Sequence, residues 1–213
     1  MMLARRACSW RRPARRPYDT MVGMPRPHIS VFIAHSLDGY IATDDDSLDW
    51  LMTAGAEEED YGFTSFLADV DVVAMGRGTY EFIKDFPELP YGGRPVHVFT
   101  SRDPGPRSGF EFYQRTPSEA VTRWEAQGVG KVYVDGGVLI SQFLAAGLVD
   151  ELTLTTVPLL LGSGKPLFHR IATTTPLRLV DTHVFASGMV NLHYQRGDGS
   201  PQPNGVSSPR NDS

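Results

Sequence analysis

The sequence predicts one α/β domain, in which a mostly parallel sheet carries helices on both faces and ends in an antiparallel hairpin. Strand and helix patterns alternate from Ile29 onward, as in proteins built from βα repeats. The stretch Val132–Leu154 reads as a buried strand, two adjacent glycines, a helix and a second strand, which is typical of a right-handed crossover between parallel strands. Two apolar segments, Leu177–Phe185 and Met189–Tyr194, flank an Ala-Ser-Gly turn, and this pattern predicts the hairpin.

Length and composition favour one domain with two tails. The 213 residues are 41% hydrophobic, which is enough for one substantial core, and we place that domain at residues 28–196. Residues 1–27 are rich in Arg and Pro, and residues 197–213 are rich in Gly, Pro and Ser, so both are expected to be disordered. The first tail is either a targeting peptide or the product of a translation start placed too early, since Met21 or Met24 would serve equally well.

The residue inventory also excludes several classes of protein. No apolar run approaches the roughly 20 residues of a membrane span, and the lone Cys8 leaves no internal disulfide and no thiolate metal site, in keeping with a reducing cytoplasm. Net charge is +6 up to Pro27 and −10 from His28 to Arg196, with −1 in the remainder. Because the folded part is acidic, we expect no nucleic-acid partner, and any anionic ligand has to be held by particular arginines and backbone amides.

The individual elements follow from local patterns. The first strand is predicted at Ile29–Ala34 and is followed by a long, turn-rich loop. A helix is predicted over Ala56–Leu67, because Glu57, Glu58 and Glu59 would occupy its first turn. Further strands are predicted at Val70–Met75 and Val96–Ser101. A capping box at Thr116–Glu119 begins a helix that ends at Gly128, and Gly147 ends the helix of the crossover.

Common catalytic motifs are absent. Gly76 and Gly78 begin a dinucleotide fingerprint, but the third glycine would have to stand at Glu81. Gly164-Lys165 lacks the upstream glycine of a phosphate-binding loop, and there is no GxSxG nucleophile motif. The six histidines form no HxxxH pair, so no metal site is predicted. The chemistry has to come from a bound cofactor.

Three strand ends together predict where that cofactor binds. Gly76-Arg77-Gly78-Thr79 and Thr100-Ser101-Arg102 follow two of the predicted strands, and Gly136-Gly137 follows a third. In open α/β sheets, ligands bind beyond the carboxyl ends of the strands. Helix N-termini, hydroxyl groups and two arginines at one edge suit a ligand with several phosphates, and the charge of arginine favours a 2′-phosphorylated dinucleotide. Taken singly, each feature is explained equally well as a turn, a strand end or a surface ion pair.

These motifs carry a resemblance to a known family. AMGRGTYE, FTSR, VDGGVLISQFL and IAHSLDGYIA resemble the dihydrofolate reductase-like fold. The branch they are most similar to is the C-terminal reductase domain of the bifunctional riboflavin-biosynthesis deaminase-reductase, and the similarity runs from Ile29 to the last strand. The deaminase domain and its zinc motif are absent from this sequence.

The resemblance implies an NADPH-dependent reductase with a defined set of cofactor contacts. Gly76, Arg77 and Thr79 would hold the phosphates, and Ser101 and Arg102 would hold the adenosine 2′-phosphate, with Thr100 beside them in the cofactor site. Gly136 and Gly137, joined by a cis peptide in such proteins, would let the amides of Val138 and Leu139 reach the pyrophosphate. Ala34, Ile41 and Ala42 would lie beside the nicotinamide.

Candidate catalytic residues are Asp38, Asp49 and Trp50. Asp38 either orients the nicotinamide carboxamide or a substrate amine, or is a turn residue that accepts hydrogen bonds from its own backbone. Asp49 is the counterpart of the carboxylate with which dihydrofolate reductase binds its pterin, and the neighbouring Trp50 either walls the substrate pocket or fills the core. Protons would come from Asp38, Asp49 or water.

The expected activity is reduction of a ribosylamino-pyrimidine or a related small heterocycle. The alternatives are true dihydrofolate reductase, acting on a pterin-like substrate, and an NADPH-binding protein without turnover. The apolar run Leu152–Leu161 is either a buried central strand or an edge segment that pairs with a second subunit. With the resemblance in view, we expect a cytoplasmic homodimer.

Overall fold

A computed structural model of the chain describes residues 25–54, 59–102, 105, 107–172 and 174–197. The strands are β1 (His28–Ser36), β2 (Tyr40–Ala42), β3 (Val72–Gly76), β4 (Val96–Phe99), β5 (Phe110–Tyr113), β6 (Lys131–Asp135), β7 (Glu151–Val157), β8 (Lys165–Pro166), β9 (Leu177–Val184) and β10 (Val190–Arg196). The helices are α1 (Asp49–Ala54), α2 (Phe63–Leu67), α3 (Arg77–Ile83), α4 (Pro117–Ala126) and α5 (Gly137–Ala145). None of these helices is long and apolar enough to cross a membrane.

Eight of the strands form one sheet in the order β5-β4-β3-β6-β1-β7-β10-β9. The first six of these are parallel to their neighbours, whereas β10 runs antiparallel to β7 and β9 runs antiparallel to β10. The predicted α/β class, the mostly parallel sheet and the closing hairpin at one edge are therefore confirmed. Strands β2 and β8 form a separate two-stranded ribbon.

Helices cover both faces of the sheet and produce two hydrophobic cores. On one face, Trp124 of α4 and Phe143 of α5 are fully buried against the central strands. On the other face, Leu67 of α2 and Tyr80 and Ile83 of α3 pack against side chains that point the opposite way from the same strands. The alternation of side chains along each strand thus gives the three-layer arrangement that the sequence predicted.

The two helices that were predicted from their caps begin and end as expected. At α4, the Thr116 hydroxyl accepts from the Glu119 amide at 3.3 Å, and the Glu119 carboxylate accepts from the Thr116 amide at 2.8 Å. Helix α5 leads from β6 to β7, and β1 lies between these two strands and parallel to both. The connection is therefore the predicted crossover of a parallel sheet.

The segment between β1 and β3 differs from the prediction. Residues 55–58, which include Glu57 and Glu58, lie outside the described residues, and the helix found near there covers only Phe63–Leu67. Its late start has a backbone cause, because Tyr61 and Gly62 adopt left-handed φ values of 51° and 88° that a right-handed helix cannot contain. The supposedly irregular loop before it holds β2 and α1.

Of the two alternatives for Leu152–Leu161, a buried central strand and an edge segment, the structure shows the buried strand over the part that lies in β7. Strand β7 pairs with β1 on one side and with β10 on the other, so its backbone has no free edge along the paired residues. Its apolar composition reflects burial in the interior of the sheet, with Leu152 and Leu154 in the core. The sequence analysis also missed β5, which forms the opposite edge of the sheet beside β4.

A cluster of charged side chains stabilises the amino-terminal ends of the central strands. The Glu151 carboxylate accepts from Lys131 Nζ at 2.7 Å and from the Ser30 hydroxyl at 2.9 Å, and it lies within 3.5 Å of the imidazoles of His28 and His193. Burial alone would raise the pKa of Glu151, but the hydrogen bonds from His193 and His28 and the charge of Lys131 hold it well below its ordinary value.

Replacing Glu151 with Gln should therefore destabilise the protein in a pH-dependent way. Because the pKa is lowered in the folded state, the carboxylate stabilises the fold above its ordinary pKa of 4.5, and this contribution is lost as the pH falls below that value. We expect Glu151→Gln to cost about 3 kcal/mol at pH 7 and distinctly less near pH 3.5, as measured by urea unfolding. Glu88→Gln, at an exposed position, is the control and should change little; an equal cost for Glu151→Gln at both pH values would contradict the assignment.

Candidate functional site

The three predicted phosphate-binding segments lie at one edge of the sheet. Strands β4, β3 and β6 are adjacent and parallel, so their carboxyl ends meet at the same edge. In register, Gly76 stands opposite Phe99 of β4, and Met75 stands opposite Asp135 of β6. Thr79 and Gly136 approach so closely that a Cβ atom on Gly136 would lie 2.5 Å from the Thr79 hydroxyl oxygen and 3.9 Å from the Gly76 amide nitrogen.

Gly136 and Gly137 are both required by their surroundings, for different reasons. Gly136 has a φ of 89°, a conformation that side chains rarely adopt. At Gly137 the constraint is space, since a Cβ there would lie 2.4 Å from the Pro166 carbonyl oxygen. The expected cis peptide between them is wrong, because the described residues contain no cis peptide bond. The left-handed φ of Gly136 turns the chain from strand to helix without one.

Helix α5 presents free backbone donors at this edge. Its first hydrogen bond runs from the Ile140 amide to the Gly136 carbonyl, which leaves the amides of Gly137, Val138 and Leu139 without acceptors inside the helix. The Val138 side chain is 55% exposed, so this turn borders open space. Amides at a helix N-terminus suit a phosphate group.

Two arginines face a shared cleft at the same edge. A cleft of about 190 Å³ is lined by both Arg77 and Arg102, together with Thr100 and Tyr80. A second cleft, of about 380 Å³, also has Arg77 in its wall and continues past Gly78 to Asp46.

The surface ion pair considered for Arg77 does exist. Its Nε atom lies 3.5 Å from the Glu81 carboxylate, but the side chain remains 49% exposed. The Thr100 hydroxyl is engaged in its own turn, where it accepts from the Arg102 amide at 3.1 Å. Ser101 is exposed beside it. The guanidinium groups are thus the most available anion-binding groups of this cleft.

Two parallel strands in the middle of the sheet, β1 and β6, stop pairing before they end, and we call the unpaired stretch between them the slot. Strand β1 pairs with β6 only as far as Ser30 and Tyr133, whereas its pairing with β7 continues to Ser36. Beyond that point β1 and β6 separate, and Ala34 is partly exposed although it belongs to a central strand. The Ile41 side chain would lie 3.4 Å from a Cβ on Gly137, and Ala42 follows it in the β2–β8 ribbon. Ala34 thus lies in the unpaired stretch of β1, and Ile41 and Ala42 lie in the ribbon near the start of α5. Their position beside a nicotinamide stays a prediction.

Asp38 connects two loops. Its carboxylate accepts from the Ser36 hydroxyl at 2.6 Å and from the amides of Leu161 and Gly162 at 3.1 and 2.7 Å. The hydrogen bond from Ser36, followed by those of the two amides, lowers the pKa of Asp38. An acid held in its ionised form is a poor proton donor near neutral pH, so the geometry favours the structural interpretation of Asp38.

Asp49 and Trp50 begin helix α1, away from the glycine-rich edge in sequence. Asp49 is exposed, and its amide donates to the Ser47 hydroxyl at 3.1 Å. The indole nitrogen of Trp50 is buried and has no hydrogen-bond partner within the described part of the chain. Within the described part of the chain, no hydrogen bond or ion pair joins either side chain to Asp38 or to the glycines. The assignment of Asp49 and Trp50 as catalytic residues therefore stays a prediction.

The sequence analysis did not single out Asp135, which the structure places in the slot. Asp135 ends β6 and immediately precedes Gly136, whose amide donates to its carboxylate at 2.8 Å; the Tyr91 hydroxyl lies 3.3 Å away. Burial raises the pKa of Asp135 to about 6, although these hydrogen bonds oppose the shift. The sequence did contain a signal for this residue, namely an acidic residue at the end of a predicted strand and directly before the paired glycines. Elsewhere, the described residues contain no group of three or more side chains suited to a metal ion.

The parallel sheet, the glycine turn at Gly136 and the arginine-lined cleft define a domain of the dihydrofolate reductase-like class. Comparison with known families makes this specific: residues 27–191 match the RibD C-terminal domain, and the chain belongs to that family. The resemblance inferred from the motifs is thereby confirmed.

The chain is similar to several individual proteins. It is 37% identical over 169 residues to the uncharacterized protein YwjB of Bacillus subtilis (strain 168), covering 78% of this chain and 96% of that one. It is 33% identical over 178 residues to the riboflavin biosynthesis protein RibD of Corynebacterium ammoniagenes, covering 75% of this chain but only 51% of RibD.

Solved structures agree with this assignment. A Shewanella sp. PV-4 protein provisionally assigned to riboflavin biosynthesis superposes with a TM-score of 0.75 at 32% identity, over 80% of this chain and 99% of that one. Dihydrofolate reductase from Enterococcus faecalis in complex with NADP(H) superposes with a TM-score of 0.58 at 19% identity, over 80% of this chain and 97% of that one, and this likeness shows the fold alone.

Substitution of Gly137 tests whether the ribbon is packed against the start of α5 as described. We expect Gly137→Ala to destabilise the protein by about 1–3 kcal/mol, because the added methyl group meets a backbone carbonyl that cannot move independently. Chemical denaturation measures the effect. Gly78→Ala is the matched control, since nothing lies within 4 Å of its Cβ position and alanine favours a helix; a neutral result at Gly137 would show that the ribbon lies elsewhere.

Proposed function

We propose that this protein is an NADPH-dependent reductase that transfers hydride to a small heterocyclic substrate. The observation that supports it most is the meeting of Arg77 and Arg102 in one cleft, at the edge where Gly136 opens helix α5. Two exposed guanidinium groups beside a helix N-terminus suit a dinucleotide with an additional phosphate. Family membership supports the reductase class.

The site residues are of the kinds that such a cofactor needs. The space at Gly136 and Gly137 is filled by the Thr79 hydroxyl and the Pro166 carbonyl, so the candidate phosphate contacts are the first-turn amides of α5 beside the exposed Val138. In this proposal, Arg77, Ser101 and Arg102 hold the 2′-phosphate, while Gly76, Thr79, Val138 and Leu139 surround the pyrophosphate. Ala34, Ile41 and Ala42 flank the nicotinamide. Bound NADPH supplies the hydride, and the protein supplies position and charge.

Asp135 is the acid that best suits proton exchange with the substrate. It borders the same slot, and a pKa of about 6 leaves a fraction of its molecules protonated at neutral pH. Asp38 is less suited, because its hydrogen bonds stabilise the ionised form. We therefore assign Asp135, rather than Asp38, to hold the proton near the nicotinamide.

Relatives suggest the reaction class. One structure of the same fold, from Thermotoga maritima, is a diaminohydroxyphosphoribosylaminopyrimidine deaminase/5-amino-6-(5-phosphoribosylamino)uracil reductase; it is 16% identical to this chain, with a TM-score of 0.63. By analogy, the substrate is a small ring with a reducible C=N or C=O bond.

Substitution of the two arginines tests the cofactor assignment. Arg77→Ala and Arg102→Ala should each weaken NADPH binding by about tenfold or more, because each removes a charge-assisted contact to phosphate. NADH binding should change far less, since NADH lacks the 2′-phosphate. Quenching or enhancement of nicotinamide fluorescence measures both affinities, with Arg178→Ala on the distant β9 strand as the control. Equal losses for the two cofactors would remove the 2′-phosphate assignment.

A dihydrofolate reductase is the second candidate, and Asp49 is the residue that would distinguish it. If this activity is the true one, the purified protein should oxidise NADPH with dihydrofolate, and Asp49→Asn should reduce kcat/KM by at least about tenfold through loss of the pterin contact. Absence of dihydrofolate turnover in the wild-type protein would exclude it.

A nucleotide-binding protein without turnover is the third candidate, since the proposed cofactor residues are better defined than the substrate residues. Binding of NADPH, without its oxidation when pyrimidines, pterins and quinones are offered as substrates, would support it.

A cytoplasmic homodimer also stays a prediction. The dimer interface cannot be formed by an edge of β7, because β7 is an interior strand. A monomeric mass in light scattering would contradict the homodimer.

A further inference from the structure

The wall of the proposed cofactor cleft contains an acid beside its arginines. Helix α3 carries Arg77 and Glu81 four residues apart, which brings the two side chains to the same face of the helix. Both residues line the cleft of about 190 Å³ that Arg102 also lines. A carboxylate in a phosphate-binding wall repels the ligand that the arginines attract, so the presence of Glu81 there requires an explanation.

The carboxylate of Glu81 is ionised but only partly engaged. Its Oε2 atom accepts from Lys84 Nζ at 2.7 Å, whereas its Oε1 atom lies 3.5 Å from Arg77 Nε, beyond the usual length of a hydrogen bond. The hydrogen bond from Lys84, together with the charges of Lys84 and Arg77, lowers the pKa of Glu81. The Oε1 atom therefore retains the capacity to accept a hydrogen bond from a ligand.

Another part of the same wall is apolar. Phe112 of β5 is partly exposed, and the buried Tyr80 ring meets it edge to face, with ring centroids 5.3 Å apart. Both rings line the cleft together with Val98. Aromatic side chains bind the flat faces of nucleobases. The cleft thus combines a surface for a base with charged groups of both signs for the attached sugar.

The two signs of charge suit two forms of one nucleotide. Arginine favours a ribose that carries a 2′-phosphate, because guanidinium groups form charge-assisted hydrogen bonds with phosphate. A carboxylate favours a ribose with a free 2′-hydroxyl, which donates a hydrogen bond to it, and repels a phosphate at the same position. Because Arg77 and Glu81 lie side by side, the affinity of the cleft for each form depends on the balance between them.

We propose that Glu81 sets the degree to which this cleft prefers NADPH over NADH. Its carboxylate accepts from the ribose 2′-hydroxyl of NADH and opposes the 2′-phosphate of NADPH, which Arg77 and Arg102 attract. This inference rests on the proposed function and identifies a cofactor-specificity residue for it. The alternative is an ion pair that belongs only to the helix surface, and it predicts no change in either affinity when Glu81 loses its charge.

Replacement of Glu81 with Gln removes the charge and keeps the size of a side chain that is 43% exposed. We expect Glu81→Gln to bind NADPH about fivefold more tightly, because one repulsive charge is removed at a partly exposed site. The same variant should bind NADH about threefold more weakly, because an amide oxygen is a poorer acceptor than a carboxylate. The ratio of the two affinities, measured from nicotinamide fluorescence, should therefore rise about tenfold.

Asp85→Asn is the matched control. Asp85 follows α3 closely and pairs with Arg107 at 2.6 Å, but it is not among the described residues that line the cleft. Its replacement removes the same charge and should leave both affinities within about twofold, because salt screens charges that do not contact the ligand. Titration of Glu81→Gln at about 1 M salt should reduce the gain for NADPH, since the repulsion that it removes is then screened in the wild-type protein as well.

Unchanged or weaker NADPH binding in Glu81→Gln, or an equal gain for NADH, would overturn the inference. An equal gain in Asp85→Asn would also overturn it, because the net charge of the region would then be the cause. If the wild-type protein does not bind NADPH, the proposed function fails and this inference fails with it. If the wild-type protein binds NADPH but Glu81→Gln leaves the ratio of affinities unchanged, only the assignment of Glu81 is wrong.

Discussion

The early separation of β1 from β6 is the feature on which the rest of the site depends. These two central strands pair only through Ser30 and Tyr133, after which β1 continues alongside β7 alone. A parallel sheet that stays closed has no room for a ligand between its strands. The unpaired stretch lies at the carboxyl ends of the strands, where ligands bind in open α/β sheets, with Ala34 on β1 and Asp135 on β6.

The glycine turn determines what can approach this opening. Gly136 reverses the chain with a left-handed φ, and Gly137 lets the β2–β8 ribbon rest against the first turn of α5. Both positions exclude a Cβ, because the Thr79 hydroxyl and the Pro166 carbonyl already occupy that space. Stability and binding therefore depend on the same residues here, which makes this edge less tolerant of substitution than the surrounding surface.

The two ends of the sheet use charge differently. At the amino ends, Glu151 is surrounded by Lys131, His28 and His193, and its charge is compensated within the protein. At the carboxyl ends, Asp135 is partly buried among neutral hydrogen-bond donors, and its pKa is raised to about 6. Acids with a perturbed pKa and no charged partner are frequent at functional sites, and for this reason Asp135 is included in the proposed one.

Much of this arrangement was readable from the sequence, because it follows from local patterns. Apolar runs, the Thr116 capping box and Gly147 predicted the parallel strands and the helices α4 and α5, and three strand-end motifs predicted a common binding edge. The extent of α2 was not predicted, the interior position of β7 was left open as one of two alternatives, and the role of Asp135 was not recognised. The first depends on left-handed residues at Tyr61 and Gly62, the second on β10 returning beside β7, and the third on desolvation by residues distant in the chain, notably Tyr91. The sequence alone determined the long, strongly patterned strands and helices and the turns that end them, since periodicity and caps act over a few residues. Only the tertiary structure decided which strands are neighbours and which carboxylate loses its water, since both depend on contacts between segments far apart in sequence.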